Sequence, residues 1–217
     1  MRRNAPTILA LLLLVGTATA FAVTQRLKLE PSPISQTRVD DVFSPVCRCA
    51  SKTANIEFSL RRADHLLIAV RTDSGEVTVA QGDFPRGDVH VRWNGRDASG
   101  ELVPDGVYSP LVHLQRAART IDLPNPIRVD TVAPTVRITR LRSNGPKLKI
   151  NYTASEPAHG LLIVDGRRVV YTYSTRRRGR LTWYGRIKGQ PLAPGRHRLF
   201  LVAQDLAGNR SARVRVR

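Results

Sequence analysis

The sequence predicts an all-β protein made of two tandem antiparallel β-sandwich domains, preceded by one N-terminal helix. Three observations predict this fold class. Short apolar runs alternate with polar residues, turn residues separate the runs at strand-length intervals, and one motif occurs twice. A chain of 217 residues, of which 41% are hydrophobic, is long enough to bury two small cores.

Strands with one apolar face are predicted in both halves of the chain. In IEFSL the residues Ile56, Phe58 and Leu60 share a face, and in KLKINY the residues Ile150 and Tyr152 point away from the lysines. Turn sequences such as Asp-Ser-Gly and Pro-Asp-Gly interrupt the runs. No segment after the N-terminal helix keeps the 3.6-residue period of a helix. Each half of the chain is therefore predicted to form an antiparallel β-sandwich.

The repeated motif is a Trp followed by Gly and Arg, a polar loop, and a Pro with a second Gly. It reads VRWNGRDASGELVPDGVY in the first copy and LTWYGRIKGQPLAPGRH about 90 residues later, which is the period of a duplicated small domain. Each Trp is expected to lie in a core with its indole N–H on a carbonyl, so the motif is interpreted as structural. The corresponding residues are Trp93, Gly95, Pro104 and Gly106 in the first copy and Trp183, Gly185, Pro194 and Gly195 in the second.

Four segments follow from these patterns. Residues 1–25 are predicted to be a signal anchor or signal peptide, and residues 26–41 a stalk that contains two prolines. The first sandwich domain is predicted at 42–129 and the second at 130–217. The proline-rich stretch LPNPIRVDTVAP joins the two domains and favours a semi-rigid connection.

The N-terminus predicts export from the cytoplasm. Arg2 and Arg3 precede the uncharged segment 4–25, and the small residues Ala-Thr-Ala at 18–20 fit a signal-peptidase site. Apolar residues continue to Val23, however, which brings the segment to the short limit for spanning a bilayer. We favour a single-pass membrane anchor, with secretion after cleavage as the alternative. In both cases the two domains are expected outside the cytoplasm.

The first copy resembles a known family through its motif residues. VRWNGRDASGELVPDGVYSPLVHL is similar to the immunoglobulin-like domain of the flagellar hook-capping protein, which also occurs in other exported bacterial proteins. The second copy resembles the broader class of bacterial immunoglobulin-like modules through DTVAPTV and AQDLAGNRS. The resemblance implies two immunoglobulin-like folds that serve as spacers, adhesins or accessory domains. It implies no flagellar role, since the hook-capping protein's assembly region has no counterpart here.

The net charge of +18 has two interpretations. Of the 35 basic residues 30 are Arg, which a GC-rich genome produces by codon bias, and they are scattered through the predicted strands. The alternative is a selected polyanion site, because a strongly basic surface attracts any anionic surface. The candidate site is STRRRGR, which is predicted to place four arginines on a hairpin tip where they could bind phosphate or carboxylate groups: Arg176, Arg177, Arg178 and Arg180.

The sequence contains no recognisable catalytic or metal-binding motif. The five histidines form no zinc motif, no nucleophile elbow or phosphate loop occurs, and no cofactor or enzymatic activity is expected. The nearest approach to a calcium-binding string is Asp97, Glu101 and Asp105, which we expect to cap their own turns. Cys47 and Cys49 are expected to form a disulfide in an exported protein, with intermolecular pairing or free thiols as alternatives.

Three functions remain open from the sequence. The first is a non-catalytic, membrane-tethered envelope protein whose two modules act as a spacer or protein-interaction scaffold. The second is binding of a polyanion, such as a wall polymer, an acidic polysaccharide or lipid headgroups, through the Arg-rich hairpin. The third is an accessory role for a separate exported enzyme. Nucleic acid is disfavoured as a partner because the domains are predicted outside the cytoplasm.

Overall fold

The protein is represented by a computed structural model that describes residues 12–21, 31–72 and 75–217. Residues 12–21 form a helix. Within the described ranges, no helix combines the length and the apolar character needed to cross a bilayer. The rest of the segment predicted as anchor or signal peptide, 1–11 and 22–25, lies outside the described residues.

Residues 34–129 fold into the first β-module, called module 1. Its strands form two sheets, β1–β3–β6 and β2–β9–β7–β4–β5, with β8 paired to β7; β2 and β9 run parallel and the other pairs antiparallel. The strands are β1 (Ile34–Val39), β2 (Val42–Phe43), β3 (Ala54–Leu60), β4 (Asp64–Thr72), β5 (Gly75–Phe84), β6 (Gly87–Trp93), β7 (Gly106–Leu114), β8 (Arg119–Asp122) and β9 (Ile127–Val129).

The core of module 1 follows from the alternation seen in the sequence. In β3 every second side chain is buried, and Ile56, Phe58 and Leu60 are at most 2% exposed. These side chains face buried residues of the second sheet such as Leu66 and Ile68, so that one apolar cluster fills the space between the sheets. Burying this surface is the main favourable term for the fold.

The predicted stalk is wrong over residues 34–39. These residues form β1, which pairs with β3 at the edge of the first sheet, and Ile34 and Val39 are buried in the core of module 1. The strand is hard to predict from the sequence because its register is broken: a bulge lies between Ser35 and Arg38, and Gln36 has a positive φ of 53°. Such an irregular strand lacks the strict alternation on which the prediction relied.

Residues 136–215 fold into the second β-module, called module 2. The strand β11 is 18 residues long and belongs to both sheets, because its first part pairs with β10 and β13 and its second part with β12 and β16. A separate apolar cluster around Tyr152 and Trp183 fills the module. The strands are β10 (Val136–Asn144), β11 (Lys147–Val164), β12 (Arg167–Tyr171), β13 (Arg176–Trp183), β14 (Arg186–Ile187), β15 (Gln190–Pro191), β16 (Leu199–Gln204) and β17 (Val214–Arg215).

Polar groups of both modules hold the short link between them. The carboxylate of Asp105, in module 1, accepts hydrogen bonds from the N–H and hydroxyl of Thr131 at 2.9 and 3.1 Å. From the other side, the side-chain amide of Asn209 donates to the carbonyl of Asp130 at 2.8 Å. The expectation that Asp105 caps its own turn is therefore wrong. Asp97, in contrast, does accept the N–H groups of its own turn.

Candidate functional site

The repeated Trp motif makes the same contacts in both modules. The indole N–H of Trp93 donates to the carbonyl of Arg96 at 3.2 Å, and that of Trp183 donates to the carbonyl of Arg186 at 2.9 Å. Each of these arginines then donates from its guanidinium to a carbonyl of the following loop, at 2.7 and 2.9 Å. Both indoles are buried, so the motif closes a loop over the core and offers no reactive group to a ligand.

The loop that follows each Trp is also pinned in the same way. The N–H of Val103 donates to the carbonyl of Gly95, and the N–H of Leu192 donates to the carbonyl of Gly185. Both glycines have φ near +70°, in the left-handed region. The two prolines differ in one contact. The carbonyl of Pro104 accepts a hydrogen bond from the hydroxyl of Tyr108 at 2.6 Å, and no equivalent bond to Pro194 occurs among the described contacts.

The two cysteines lie where the modules meet. Cys47 and Cys49 form a disulfide in the bend between β2 and β3, with their Cα atoms 5.3 Å apart. The sulfur of Cys49 lies 3.9 Å from the carbonyl oxygen of Ala207 in module 2. A side chain at Gly208 would overlap this sulfur, and Gly208 has φ of +97°. Only glycine therefore fits between the disulfide and the turn that leads out of β16.

Three carboxylates also meet at this junction. Oxygen atoms of Asp130, Glu156 and Asp205 all lie within 4.8 Å of one another, a grouping that could hold a metal ion. Asp205 is buried and accepts hydrogen bonds from the backbone and side-chain amides of Asn209 at 2.8 and 2.9 Å. Burial raises the pKa of Glu156, and the negative charges of the two aspartates raise it further.

Sequence reasoning missed this grouping because its members come from three separate segments. Asp130 and Asp205 belong to DTVAP and DLAGN, the stretches that were used only to identify a family. Glu156 lies in β11, near the place where the register with β13 shifts. No pattern in the sequence relates these three positions, and the fold alone brings them together.

The four candidate arginines do not share a hairpin tip, which corrects the prediction from the sequence. Residues 176–180 belong to β13, which pairs with β11 along its length, so consecutive side chains point to opposite faces. Arg176, Arg178 and Arg180 line one hollow of about 500 Å³ on the outer face. Arg177 points the other way, and its positive charge acts on the carboxylate of Glu156.

Gly179 keeps this arginine-rich strand against β11. The ring of the buried Tyr152 lies across the strand, and a side chain at Gly179 or at Gly160 would overlap that ring. The glycine in RRRGR is therefore a packing residue, because its missing side chain leaves room for the ring of Tyr152 against β13. The arginines on either side of it remain on an ordered strand rather than on a loop.

Cations from two further strands extend the outer face of β13. Asn151 of β11 pairs with both Arg140 of β10 and Arg180 of β13, and the amide oxygen of Asn151 accepts a hydrogen bond from Arg180 at 3.1 Å. A second hollow of about 140 Å³ lies beside the first. We call five exposed cations around Asn151 on this three-stranded surface the basic face: Arg140, Arg142, Lys149, Arg178 and Arg180.

The basic face has no balancing negative charge. Among the described residues, none of its five cations has an Asp or Glu within 4.0 Å, whereas other arginines of the chain do form such pairs. Five like charges on adjacent strands repel one another and gain nothing from their neighbours. A bound anion would remove this repulsion.

The charge is also distributed unevenly along the chain. Residues 42–129 carry 11 basic and 10 acidic residues, whereas residues 130–217 carry 19 basic and 4 acidic residues. Codon bias acts on the whole gene, so it does not by itself account for 19 basic residues against 11, or for 4 acidic residues against 10. The interpretation of the charge as a by-product of codon bias stays open beside that of a selected site.

The sequence contains a signal for part of the basic face. The segment RITRLRSNGPKLKI has the pattern of a hairpin with cations at alternate positions on both arms, around the turn at Asn144 and Gly145. The pairing of β10 and β13 on opposite sides of β11 depends on long-range contacts, which the local sequence does not reveal.

These features define an all-β protein whose two modules are each built from packed β-sheets. Residues 46–117 match the family model of the FlgD Ig-like domain. The resemblance to the hook-capping type is confirmed over these residues, and the assignment of the second copy stays a prediction. No curated protein sequence matches the chain.

Three of the solved structures that match the chain do so at low sequence identity. The fibronectin(III)-like modules of Clostridium thermocellum CbhA are 17% identical, with 83% of this chain and 92% of that chain covered and a TM-score of 0.43. The YadV chaperone is 10% identical, with coverages of 85% and 100% and a TM-score of 0.32. A bacterial ice-binding adhesin of 1.5 MDa is 15% identical, with coverages of 84% and 63% and a TM-score of 0.33.

Proposed function

We propose that this chain is a non-catalytic protein of the cell envelope that binds a polyanion through the basic face of module 2. The observation that carries this proposal is the group of five exposed cations on adjacent strands, which pair with none of the carboxylates that the structure describes. Its four guanidinium groups suit phosphate and carboxylate groups, since each can donate two parallel hydrogen bonds.

The spacing of the cations favours an extended polymer over a small anion. Residues two apart on a strand are about 6.6 Å apart, and neighbouring strands are about 4.8 Å apart. Arg140 and Arg142, like Arg178 and Arg180, therefore repeat along the strand direction, while Lys149 lies between the two pairs. A chain with regularly spaced phosphate or carboxylate groups could contact several of them at once, and its affinity would then depend steeply on salt.

Module 1 fits the role of a spacer in this proposal. The strand β7 begins at Gly106, near the link to module 2, and ends at Leu114, which is at the end where the chain enters module 1. Nine strand residues span about 30 Å. If the N-terminal segment anchors the protein in the membrane, module 1 holds the basic face at least this distance from the attachment point.

A binding experiment with matched variants tests the proposal. The face variant carries Arg140→Ser, Arg142→Ser, Arg178→Ser and Arg180→Ser, and the control carries the same charge change at four exposed arginines away from the face, Arg167, Arg196, Arg215 and Arg217. Fluorescence anisotropy with labelled polyphosphate and labelled polygalacturonate, over a salt series, separates phosphate from carboxylate ligands.

We expect the face variant to bind at least tenfold more weakly and to lose salt dependence, while the control keeps most of its affinity. For nucleic-acid backbones each lost contact lowers the salt slope by roughly 0.7–0.9. Equal loss in both variants would mean that net charge alone attracts the polymer, and the basic face would then not be a site. Salt-insensitive recovery of one protein from envelope extracts by both variants would instead favour the scaffold or accessory function.

A further inference from the structure

We propose that module 1 carries a second anion-binding site at its end away from module 2. This site binds the phospholipid headgroups of the membrane that holds the N-terminal segment. This inference rests on the proposed envelope function in its membrane-anchored form, in which the N-terminal segment holds the protein in the membrane, and it concerns different residues from the basic face. Its site is a hollow of about 670 Å³ with five arginines around it, which we call the arginine hollow: Arg61, Arg62, Arg86, Arg116 and Arg119.

Three separate connections bring these arginines together. Arg61 and Arg62 lie between β3 and β4, and Arg86 lies between β5 and β6. Arg116 lies in the turn after β7, and Arg119 begins β8. All five are exposed. Residues 42–129 hold 11 basic and 10 acidic residues, so five of the 11 cations in this nearly neutral segment lie at one end of module 1.

The carboxylates at this end leave most of the arginines without a partner. Asp64 lines the hollow but is 4% exposed, and it accepts the backbone N–H groups of Arg116 and Ala117 at 2.8 and 3.1 Å. Asp83 pairs with Arg116 at 2.9 Å. Among the residues that the structure describes, the other four arginines of the hollow have no carboxylate within 4.0 Å, so their guanidinium groups are available to an anionic surface.

The path of the chain places this end beside the N-terminal segment. Pro31 and Pro33 line the arginine hollow, and the nine residues 22–30 connect it to the helix at 12–21. Nine residues span at most about 30 Å. The helix exposes its apolar side chains, of which Leu12, Leu14 and Phe21 are 65%, 67% and 65% exposed, so it needs an apolar environment that the two modules do not supply.

A bilayer that takes up this helix therefore lies within reach of the arginine hollow. Arginine binds phosphate groups in bidentate geometry, and basic residues next to a membrane segment are attracted to anionic lipids over about one Debye length. The basic face lies on module 2, which is attached to the far end of module 1. Both sites can consequently be occupied together. The arginine hollow would hold module 1 upright on the membrane, and the basic face would bind polymer farther out.

The test uses the full chain in vesicles and measures which end of module 1 approaches the lipid. A fluorophore is attached through Gln115→Cys at the arginine hollow or, as the far-end control, through Ala98→Cys; both positions are exposed, and labelling without reductant leaves the native disulfide intact. Quenching by lipids that are spin-labelled at the headgroup is compared in phosphatidylcholine vesicles with and without phosphatidylglycerol.

We expect the label at residue 115 to be quenched several-fold more than the label at residue 98 when phosphatidylglycerol is present. The difference should fall at high salt and in the variant Arg61→Ser, Arg62→Ser, Arg119→Ser. It should persist in the charge-matched control Arg196→Ser, Arg215→Ser, Arg217→Ser. Thermal melting of each variant checks that it remains folded, and the salt series on the unsubstituted protein gives an answer without any substitution in the hollow.

Flotation of the vesicles separates the failure of this proposal from the failure of the tether. Protein that floats with the vesicles but shows equal quenching at the two positions, or quenching insensitive to lipid charge and salt, overturns the headgroup contact and leaves the tether intact. Protein that does not float with either kind of vesicle overturns the tether and the headgroup contact together.

Discussion

The two modules share a loop-closing motif but differ in almost everything that a partner would meet. Trp93 and Trp183 make equivalent hydrogen bonds, and the loops after them are pinned to equivalent glycines. The surfaces differ sharply, because module 1 is nearly neutral overall while residues 130–217 hold 19 basic and only 4 acidic residues. The shared residues therefore preserve the sandwich fold, whereas any difference in binding depends on the residues that the two modules do not share.

The distribution of cations within each module supports the same lesson. In module 2 they repeat on alternate residues of neighbouring strands, on one sheet face. In module 1 the surplus arginines lie in connections at one end, while the sheets carry paired charges such as Arg71 with Asp122 at 2.9 Å. A repeating face suits an extended polymer, and a ring of loops suits a broad surface, so the two modules present different geometries to anions.

The largest effect is expected from removing each shared Trp in turn. Trp93 is 2% exposed and packs against the rings of Phe43 and Tyr108, with centroids 5.4 and 5.1 Å away, whereas Trp183 is 8% exposed and has no such ring partner among the described residues. Trp93→Ala should cost about 3–5 kcal/mol of folding free energy, and Trp183→Ala should lie at or below the lower end of that range. Urea unfolding measures both losses.

The same two variants show whether the modules unfold together. Each variant keeps a single Trp, and that Trp lies in the unaltered module, so its fluorescence reports that module alone. An unchanged midpoint for the remaining Trp would mean that the modules are independent. A shift in the same direction as the destabilised module would show that the junction couples them, and a larger loss for Trp183→Ala would contradict the difference in packing.

The next effect in size is expected at the junction, from Gly208→Ala. The new side chain would overlap the sulfur of Cys49, and the φ of +97° disfavours any residue other than glycine. We expect a loss of about 1–3 kcal/mol. The change should be measured again in the background Cys47→Ser, Cys49→Ser, where the overlap is relieved and only the cost of the backbone conformation, about 1 kcal/mol, remains. An identical loss in both backgrounds would mean that the disulfide does not press on this turn.

Local pattern was enough to predict regular strands such as β3 and the Trp motif, but not the irregular strand β1 or the surfaces. The alternation in β3 and the motif around Trp93 are properties of a few neighbouring residues, and the structure has both as expected. The four arginines at 176–180 were assigned to a hairpin tip because the pairing of β13 with β11 depends on residues far apart in sequence. The grouping of Asp130, Glu156 and Asp205 was invisible for the same reason, since β11, the link and the end of β16 meet only in the folded chain.

The smallest effect is expected from Glu156→Gln, which probes the group of three carboxylates at the junction of a largely basic module. The pKa of Glu156 is raised by burial and by its two carboxylate neighbours, so the folded protein holds this proton more tightly than the unfolded chain does. Its contribution to stability is therefore largest below the ordinary pKa of 4.5 and is lost as the pH rises through the raised value. At neutral pH the charged carboxylate opposes folding, and a neutral amide of similar shape should stabilise the protein by at most about 1 kcal/mol.

Melting temperatures of the variant and the unsubstituted protein in chelator-containing buffer should differ at pH 7 and converge on acidification. A variant that melts lower at pH 7, with no convergence in acid, would mean that the three carboxylates do not repel one another and that the junction is held by contacts of Glu156 in its charged form.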